Sequence, residues 1–450
     1  MSIKDNFPSL GPSLSLNFAR SKTLDPRITF SRTNPTATYM NENGLIVTAA
    51  ADEPRFDHKY ENGVVKSLGL LVEEQRVNKL QYGETFNTAW NHIGFTSNAV
   101  DSTYINPTGG TGAKKLIEES GTNSGQKVLY RDITVSSNNA VYTHSCFVKP
   151  IGSRNVHINI HNTGSPTRNL TVNFNLSDGT VYDTSGTTSV DVSLDDYGII
   201  PYPNGWYRIY VTGNTSSVNS SGTALRFHIR ILNGSYTSSY TGDGSSGLYV
   251  YGGQMELGAF PTSLIKNSTN SDVTRSADNV TMTGTNFSDW YNQEQGTMVW
   301  IGNVYSKELS PVQPFRINRT NGGNLRGMAI QFDTRSANNT VNFMSRTQSS
   351  NIPSKVGPTG VIPSDNKIKI AGGYIESVGL STLRAAFNGL PAASYSGASQ
   401  TDVVDGAMNE LEIMYNRGTS GSNIQFTGVC EQLVYYPKIF TDTQLQNLTK

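Results

Sequence analysis

An all-β chain of stacked sandwiches is predicted from three observations. Strand-length segments with period-2 alternation of apolar and polar residues recur along most of the 450 residues. Gly, Asn, Asp and Pro punctuate them. A helical apolar period is nearly absent before the C-terminus. The expected order is a small N-terminal β-hairpin module over 1–80, a jelly-roll β-sandwich over 81–262, and a second β-sandwich over 263–450 with a short C-terminal helix.

In the first module Leu14, Leu16 and Phe18 alternate as in a half-buried strand. YMNENGLIV and KYENGVVKSLGLLV each carry an Asn-Gly turn between apolar runs, the signature of a hairpin. Pro8, Pro12, Pro26, Pro35 and Pro54 fall between these pieces, where turns and edges tolerate them. The jelly roll is read from SCFVKP, NVHINIHN, LTVNFNL, GWYRIYV, ALRFHIRIL and GLYVYGGQMEL. In GWYRIYV, Trp206, Arg208 and Tyr210 share one face and Tyr207, Ile209 and Val211 the other, which suits a sheet with one wet side. The second sandwich is read from GTMVWIGNVY, FRINR, MAIQFD, VNFMSR, KIKIAGGYIE, NELEIMYNR and NIQFTGVCEQLVYYP; the stretch 376–390 fits a strand or a short helix. At the end Thr441 and Gln444 form a capping box, with Phe440 and Leu445 as its hydrophobic staple.

Lys plus Arg equals Asp plus Glu at 35 each, so no basic face argues for nucleic acid. Charged residues make up 16% of the chain, and polarity comes from Asn, Ser, Thr and Gly. No stretch approaches the roughly 18 apolar residues of a membrane span, and MSIKDNFPSLGPSL lacks the apolar region of a signal peptide. Cys146 and Cys430 lie far apart in alternating apolar contexts and read as buried thiols.

Little of the chain carries reaction chemistry. Glu73 and Glu74 are adjacent, and neighbours on a strand point opposite ways, so they cannot flank one bond. With Arg55 and Arg76 they read as a structural polar joint, Arg76 meeting Glu73 or Glu74. His157 and His161 share a strand face about 13 Å apart, which suits a polar sheet face better than a metal site. Calcium needs six or more oxygens, and TGDGSSG alone supplies too few; a calcium ion in a sandwich loop is the one cofactor the sequence admits. No Walker loop, G-x-S-x-G elbow or Rossmann fingerprint is present. For stacking on a sugar ring, the candidate aromatics are Trp90, Trp206, Tyr249, Tyr251 and Trp300.

The segment LSLNFARSKTLDPRITFSRTNPTATYMNENGLIVTAAADEPRFDH, followed by LGLLVEEQRVN, closely resembles the opening of bacteriophage virion proteins called tail fibre, head fibre or minor structural proteins. GGQMELGAFPTSLI with DVTRSADNVTM is similar to the seam, in those proteins, between a carbohydrate-binding-module-like jelly roll and a concanavalin A-like (laminin G-like) sandwich. LVYYPKIFTDTQLQNLT is similar to the closing strand and helix of the latter. Val77 and Lys79, and Leu264-Ile265-Lys266, depart from the usual residues of these segments. The resemblance marks fold and joints and assigns no functional residue.

It implies a non-enzymatic virion structural protein, a fibre, spike or surface appendage. Its partners would be other virion proteins, its own copies (three-fold for a fibre) and host-surface glycans, with no nucleic acid and no membrane insertion. A capsid decoration or adaptor protein is the alternative. A polysaccharide depolymerase would need two carboxylates facing one groove at roughly 5–9 Å.

Overall fold

The computed structural model describes residues 8–87, 89–97, 100–120, 125–135, 140–162, 168–184, 193–214, 224–305, 312–318, 327–333, 340–346, 354–356, 366–377, 380–398, 408–414 and 427–450. It is nearly all β, with two sandwiches and a short closing helix.

The jelly roll pairs a seven-stranded with a six-stranded sheet. In the six-stranded sheet the order is Thr180–Asp183, Arg168–Asn175, Asn155–Asn162, Ala224–Leu232, Lys127–Thr134 and Asn91–Ile93. Strict alternation sets its register. Ile158 lies opposite Val172 and Ile229, all buried in the core, and Asn159 lies opposite Thr171 and His228 on the other face. A slip of one residue would expose the whole apolar row, so the pattern pins the pairing. The seven-stranded sheet centres on Gly247–Leu257, Val141–Ile151 and Trp206–Asn214. Its outer face, expected to be wet at Trp206, Arg208 and Tyr210, is instead covered. Ile46 of the N-terminal hairpin packs there with Phe147, Trp206, Tyr249 and Leu264.

Residues 1–80, expected to stand as a module of their own, are woven into the second sandwich. Leu14–Asn17, Arg55–Glu61 and Val64–Val72 join its eight-stranded sheet, and Thr29–Ser31 joins the opposing seven-stranded one. Two N-terminal strands divide one edge of Gly428–Tyr436. Gln432 to Tyr435 pair with Leu14–Asn17, and Gly428 to Cys430 pair with Leu70 to Val72. The reason is burial. Isolated hairpins of this length are marginal in water, whereas Leu14, Leu16, Phe18, Ile28, Leu70 and Val72 are buried in one cluster with Trp300, Tyr374 and Leu433. Each such side chain contributes about 1.5–3 kcal/mol when removed from water. The same pairing closes an otherwise open sheet edge.

Gly69 makes this insertion feasible. It sits at φ +123°, where the pairing of Arg55–Glu61 with Val64–Val72 shifts register, and a Cβ there would lie 2.3 Å from the Cys430 carbonyl oxygen. The stretch left between strand and helix resolves as the strand Leu380–Phe387. The closing helix Asp442–Leu448 carries the capping box of Thr441 and Gln444, and Phe440 and Leu445 share one small core cluster with Val434.

Candidate functional site

The charged group after the apolar run 68–72 lies in a buried seam between the two sandwiches. Arg55 is fully buried. Its Nη1 donates to Glu73 Oε2 at 2.5 Å, to Ser263 Oγ at 3.0 Å and to the Thr38 carbonyl at 2.9 Å. Its Nη2 donates to Asp278 Oδ2 at 2.5 Å. The other Asp278 oxygen accepts from Arg32 Nη1 at 3.0 Å. Arg275 lies 3.0 Å from Glu73 and donates to the Glu74 carbonyl at 2.6 Å. Arg76 donates from Nε to Glu74 at 2.6 Å, and its guanidinium sits 4.8 Å from the Phe260 ring centroid. Glu256 accepts from Thr262 and Gln254.

Four arginines (Arg32, Arg55, Arg76, Arg275) thus face four carboxylates (Glu73, Glu74, Glu256, Asp278), so the seam is neutral. Burial opposes ionisation of Glu73, but the guanidinium groups of Arg275 and Arg55 and the hydrogen bonds from Ser263 outweigh it and hold its pKa near about 2. Gly258, at φ +139°, lies where any side chain would strike Arg76: a Cβ would sit 1.4 Å from Nη1. This constellation is a structural lock: each guanidinium meets a carboxylate, although Arg55 Nε and Arg275 Nε are left without a hydrogen-bond partner among the described residues.

The aromatics proposed to stack on sugar do not reach solvent as a platform. Trp90 packs against Phe86 and Phe227 in the jelly-roll core. Trp206 donates its Nε1 proton to the Ile105 carbonyl at 3.1 Å. Tyr249 is stacked on Tyr104 at 3.9 Å, and Tyr251 donates its hydroxyl to Glu84 at 2.9 Å. Trp300 is in the core of the second sandwich. Large rings bury the most apolar area, so sheet interiors claim them first.

A polar layer, largely buried, lies instead on the outer face of the six-stranded sheet. His157 and His228 meet there edge to face, ring centroids 5.6 Å apart. Asn159, Thr171, Asn173, Arg226 and Arg230 surround them on neighbouring strands. Arg226 is matched by Asp132 at 2.6 Å and lies 4.1 Å over the Tyr130 ring. Arg230 has no carboxylate in ion-pair range among the described residues; its Nη2 lies 3.5 Å from His228 Nε2. Burial, then the charge of Arg230, pushes His157 down to about 3, and burial also holds His228 well below the usual imidazole range. Both rings are therefore neutral at pH 7.

Among the described residues, five buried polar atoms on this face have no hydrogen-bond partner: His157 Nε2, His228 Nδ1, Asn159 Oδ1, Asn169 Oδ1 and Arg230 Nε. Native structures leave few such atoms unsatisfied, and their concentration on one surface marks a place for water or ligand groups. At the sheet's edge Tyr182, 53% exposed, stacks on Tyr236 with centroids 3.4 Å apart and planes within 4°. Tyr236 adopts φ +59°, a strained conformation for a bulky residue, which lays its ring flat on its neighbour. Asp183 and Asn173, hydrogen-bonded to each other, connect this pair to His157.

Sequence reasoning placed the histidines on a polar face but missed Arg230, Tyr182 and Tyr236. The signal for Tyr182 was its position in a short edge strand just after an Asp-Gly turn, where one face stays open. Among the described residues, no group of three or more His, Cys, Asp or Glu side chains is placed to hold a metal ion. Asp243 of TGDGSSG spends its carboxylate on Ser245, Ser246 and Arg154.

No protein-family model and no curated protein sequence matches the chain. Among solved structures it is similar to the CBM40 of the Ruminococcus gnavus IT-sialidase, with 15% identity over 35% of this chain and 84% of that one and a TM-score of 0.30. It is also similar to a leech intramolecular trans-sialidase, with 15% identity over 35% of this chain and 23% of that one and a TM-score of 0.29. Trypanosoma rangeli sialidase aligns over 94% of this chain and 77% of its own at 9% identity and a TM-score of 0.27. These likenesses speak to a β-sandwich fold alone. Because the matches include sialidases, the expectation that the protein is not an enzyme is corrected and withdrawn.

Proposed function

We propose that the chain is a structural subunit of a bacteriophage virion, a fibre or surface appendage, whose jelly roll contacts host-surface glycans through the outer face of the six-stranded sheet. The observation that carries the glycan contact is the cluster of buried, unpartnered polar atoms beside the exposed Tyr182–Tyr236 stack. Sugar recognition needs that combination: a flat ring for the apolar face of a sugar and fixed polar groups for its hydroxyls. The virion assignment is supported by the resemblance of the N-terminal and seam segments to phage structural proteins. Those same residues build the lock that holds the two sandwiches together, as a load-transmitting appendage requires. Assembly as a homo-oligomer, three-fold for a fibre, belongs to this reading.

The test has two arms. The full chain is titrated against cell-surface polysaccharides of candidate bacterial hosts, alone and as Tyr182→Ala and Arg230→Ala. Binding that weakens tenfold or more in both variants supports the glycan contact; no binding to any host polysaccharide overturns it. Antibody against the chain is imaged on intact particles from an infected host. Labelling of a regular position on the particle supports the virion assignment, and particles free of label overturn it.

A further inference from the structure

A cavity of about 310 Å³ also lies between the sandwiches, where the covered face of the seven-stranded jelly-roll sheet meets the strand Arg55–Glu61, and Glu73 and Ser263 of the seam form part of its wall. Arg208 and Tyr210 reach it from one wall and Asp57 from the other. Ile200, 39% exposed, marks its mouth.

Arg208 is the unusual member. It is 6% exposed, yet among the described residues no carboxylate lies in ion-pair range of it. One Nη donates to Ser145 Oγ at 3.0 Å, the Tyr202 hydroxyl lies against the guanidinium, and Nε has no partner. The arginines of the neighbouring seam all meet a carboxylate. A buried guanidinium left without a counter-charge is costly, and an anion entering the cavity would relieve that cost.

The other polar groups narrow the anion. Asp57 accepts from the Met40 amide at 2.8 Å, and burial raises its carboxyl to about 6. Asp196 accepts from the Tyr210 hydroxyl at 3.4 Å. Three carboxyl groups line the cavity; Glu73 is already held by Arg55, Arg275 and Ser263, while Asp57 and Asp196 would repel a phosphate dianion but accept hydrogen bonds from hydroxyls. The volume lies at the small end of ligand pockets, enough for one sugar-sized ring.

We propose that this cavity binds a small hydroxylated monocarboxylate, of the size and chemistry of a single sugar acid, with its carboxylate on Arg208 and its hydroxyls toward Asp57 and Asp196. The site is distinct from the polar face of the six-stranded sheet and stands whether or not that face binds glycan.

The full chain is titrated calorimetrically with glucuronate, glucose and inorganic phosphate. Glucuronate is expected to bind at least tenfold more tightly than glucose or phosphate. Arg208→Gln removes the anion's partner and weakens binding tenfold or more. Ile200→Trp narrows the mouth from the surface and does the same, so it carries the test if Arg208→Gln fails to fold. Lys438→Ala, exposed on the second sandwich and outside both sites, leaves glucuronate binding unchanged. Absence of glucuronate binding, or binding unaltered in the folded variants, overturns the site. Phosphate binding as tightly as glucuronate overturns the ligand class, and a loss of binding in Tyr182→Ala shows that the sugar acid sits on the sheet face instead.

Discussion

The seam and the outer face of the six-stranded sheet use the same residue types to opposite ends. In the seam each arginine meets a carboxylate, and Glu73 and Asp278 are each held by more than one donor. On the sheet face, among the described residues, Arg230 has no carboxylate in range, two imidazoles are neutral, and five buried polar atoms are unpartnered. Burial is similar in both places, so burial does not separate a structural network from a binding surface. Charge compensation does: Arg55 Nε and Arg275 Nε lack hydrogen-bond partners just as Arg230 Nε does, but each seam guanidinium faces a carboxylate, whereas Arg230 has none in range among the described residues.

The largest effect that would test this contrast is in the seam. Arg55→Ala leaves the buried Glu73 and Asp278 short of a counter-charge and is expected to cost about 3–5 kcal/mol, read from urea unfolding. A loss below about 1 kcal/mol would show that the seam is not a lock. Gly258→Ala should come next, at about 1–3 kcal/mol, because the new Cβ occupies the position of the Arg76 guanidinium at a backbone angle that disfavours side chains. On the sheet face the expectation reverses. Arg230→Ala should change stability by less than about 1 kcal/mol, in either direction, because it removes an uncompensated charge. A loss comparable to that of Arg55→Ala would erase the distinction.

The contrast also has a pH dependence. His157 is held at about 3 in the folded chain against 6.5 ordinarily, so its contribution is present above pH 6.5 and is lost as pH falls toward 3. Glu73 is held near about 2 against 4.5, so its contribution is lost only as pH falls from 4.5 toward 2. Asp57 acts the other way: its folded value is raised to about 6, so its contribution is full below pH 3.8 and is lost as pH rises through 6. His157→Gln should flatten the dependence of the urea midpoint on pH between about 6.5 and 3 and leave it unchanged above about 7. A profile identical to that of the unmodified chain would mean that His157 is not held neutral in the fold.

The fold was legible where local rules suffice. NVHINIHN showed its two faces because alternation reports them directly, and the Thr441–Gln444 box is a local contact between two side chains and two amides. The polar joint was legible as a cluster of types: two carboxylates and an arginine directly after an apolar strand have few structural uses. Its full membership was not, because Arg32, Arg275 and Asp278 come from distant segments. The sugar-stacking candidates failed for a related reason. Choosing the largest rings selects residues that cores retain, and the exposed pair, Tyr182 and Tyr236, lies on an edge strand and in a loop that meet only after the sheet has formed.

From the sequence alone came the all-β class, the strand periodicity, the polar face of NVHINIHN and the capped final helix. Each follows from spacing over a few residues, where side-chain direction is set by backbone geometry. Tertiary structure decided that the N-terminal strands complete the second sandwich, that four arginines converge on one neutral seam, and that Arg208 and Arg230 stay without a counter-charge. Strand partners and charge partners lie far apart in the chain, and alternation says which way a side chain points but not what it will meet.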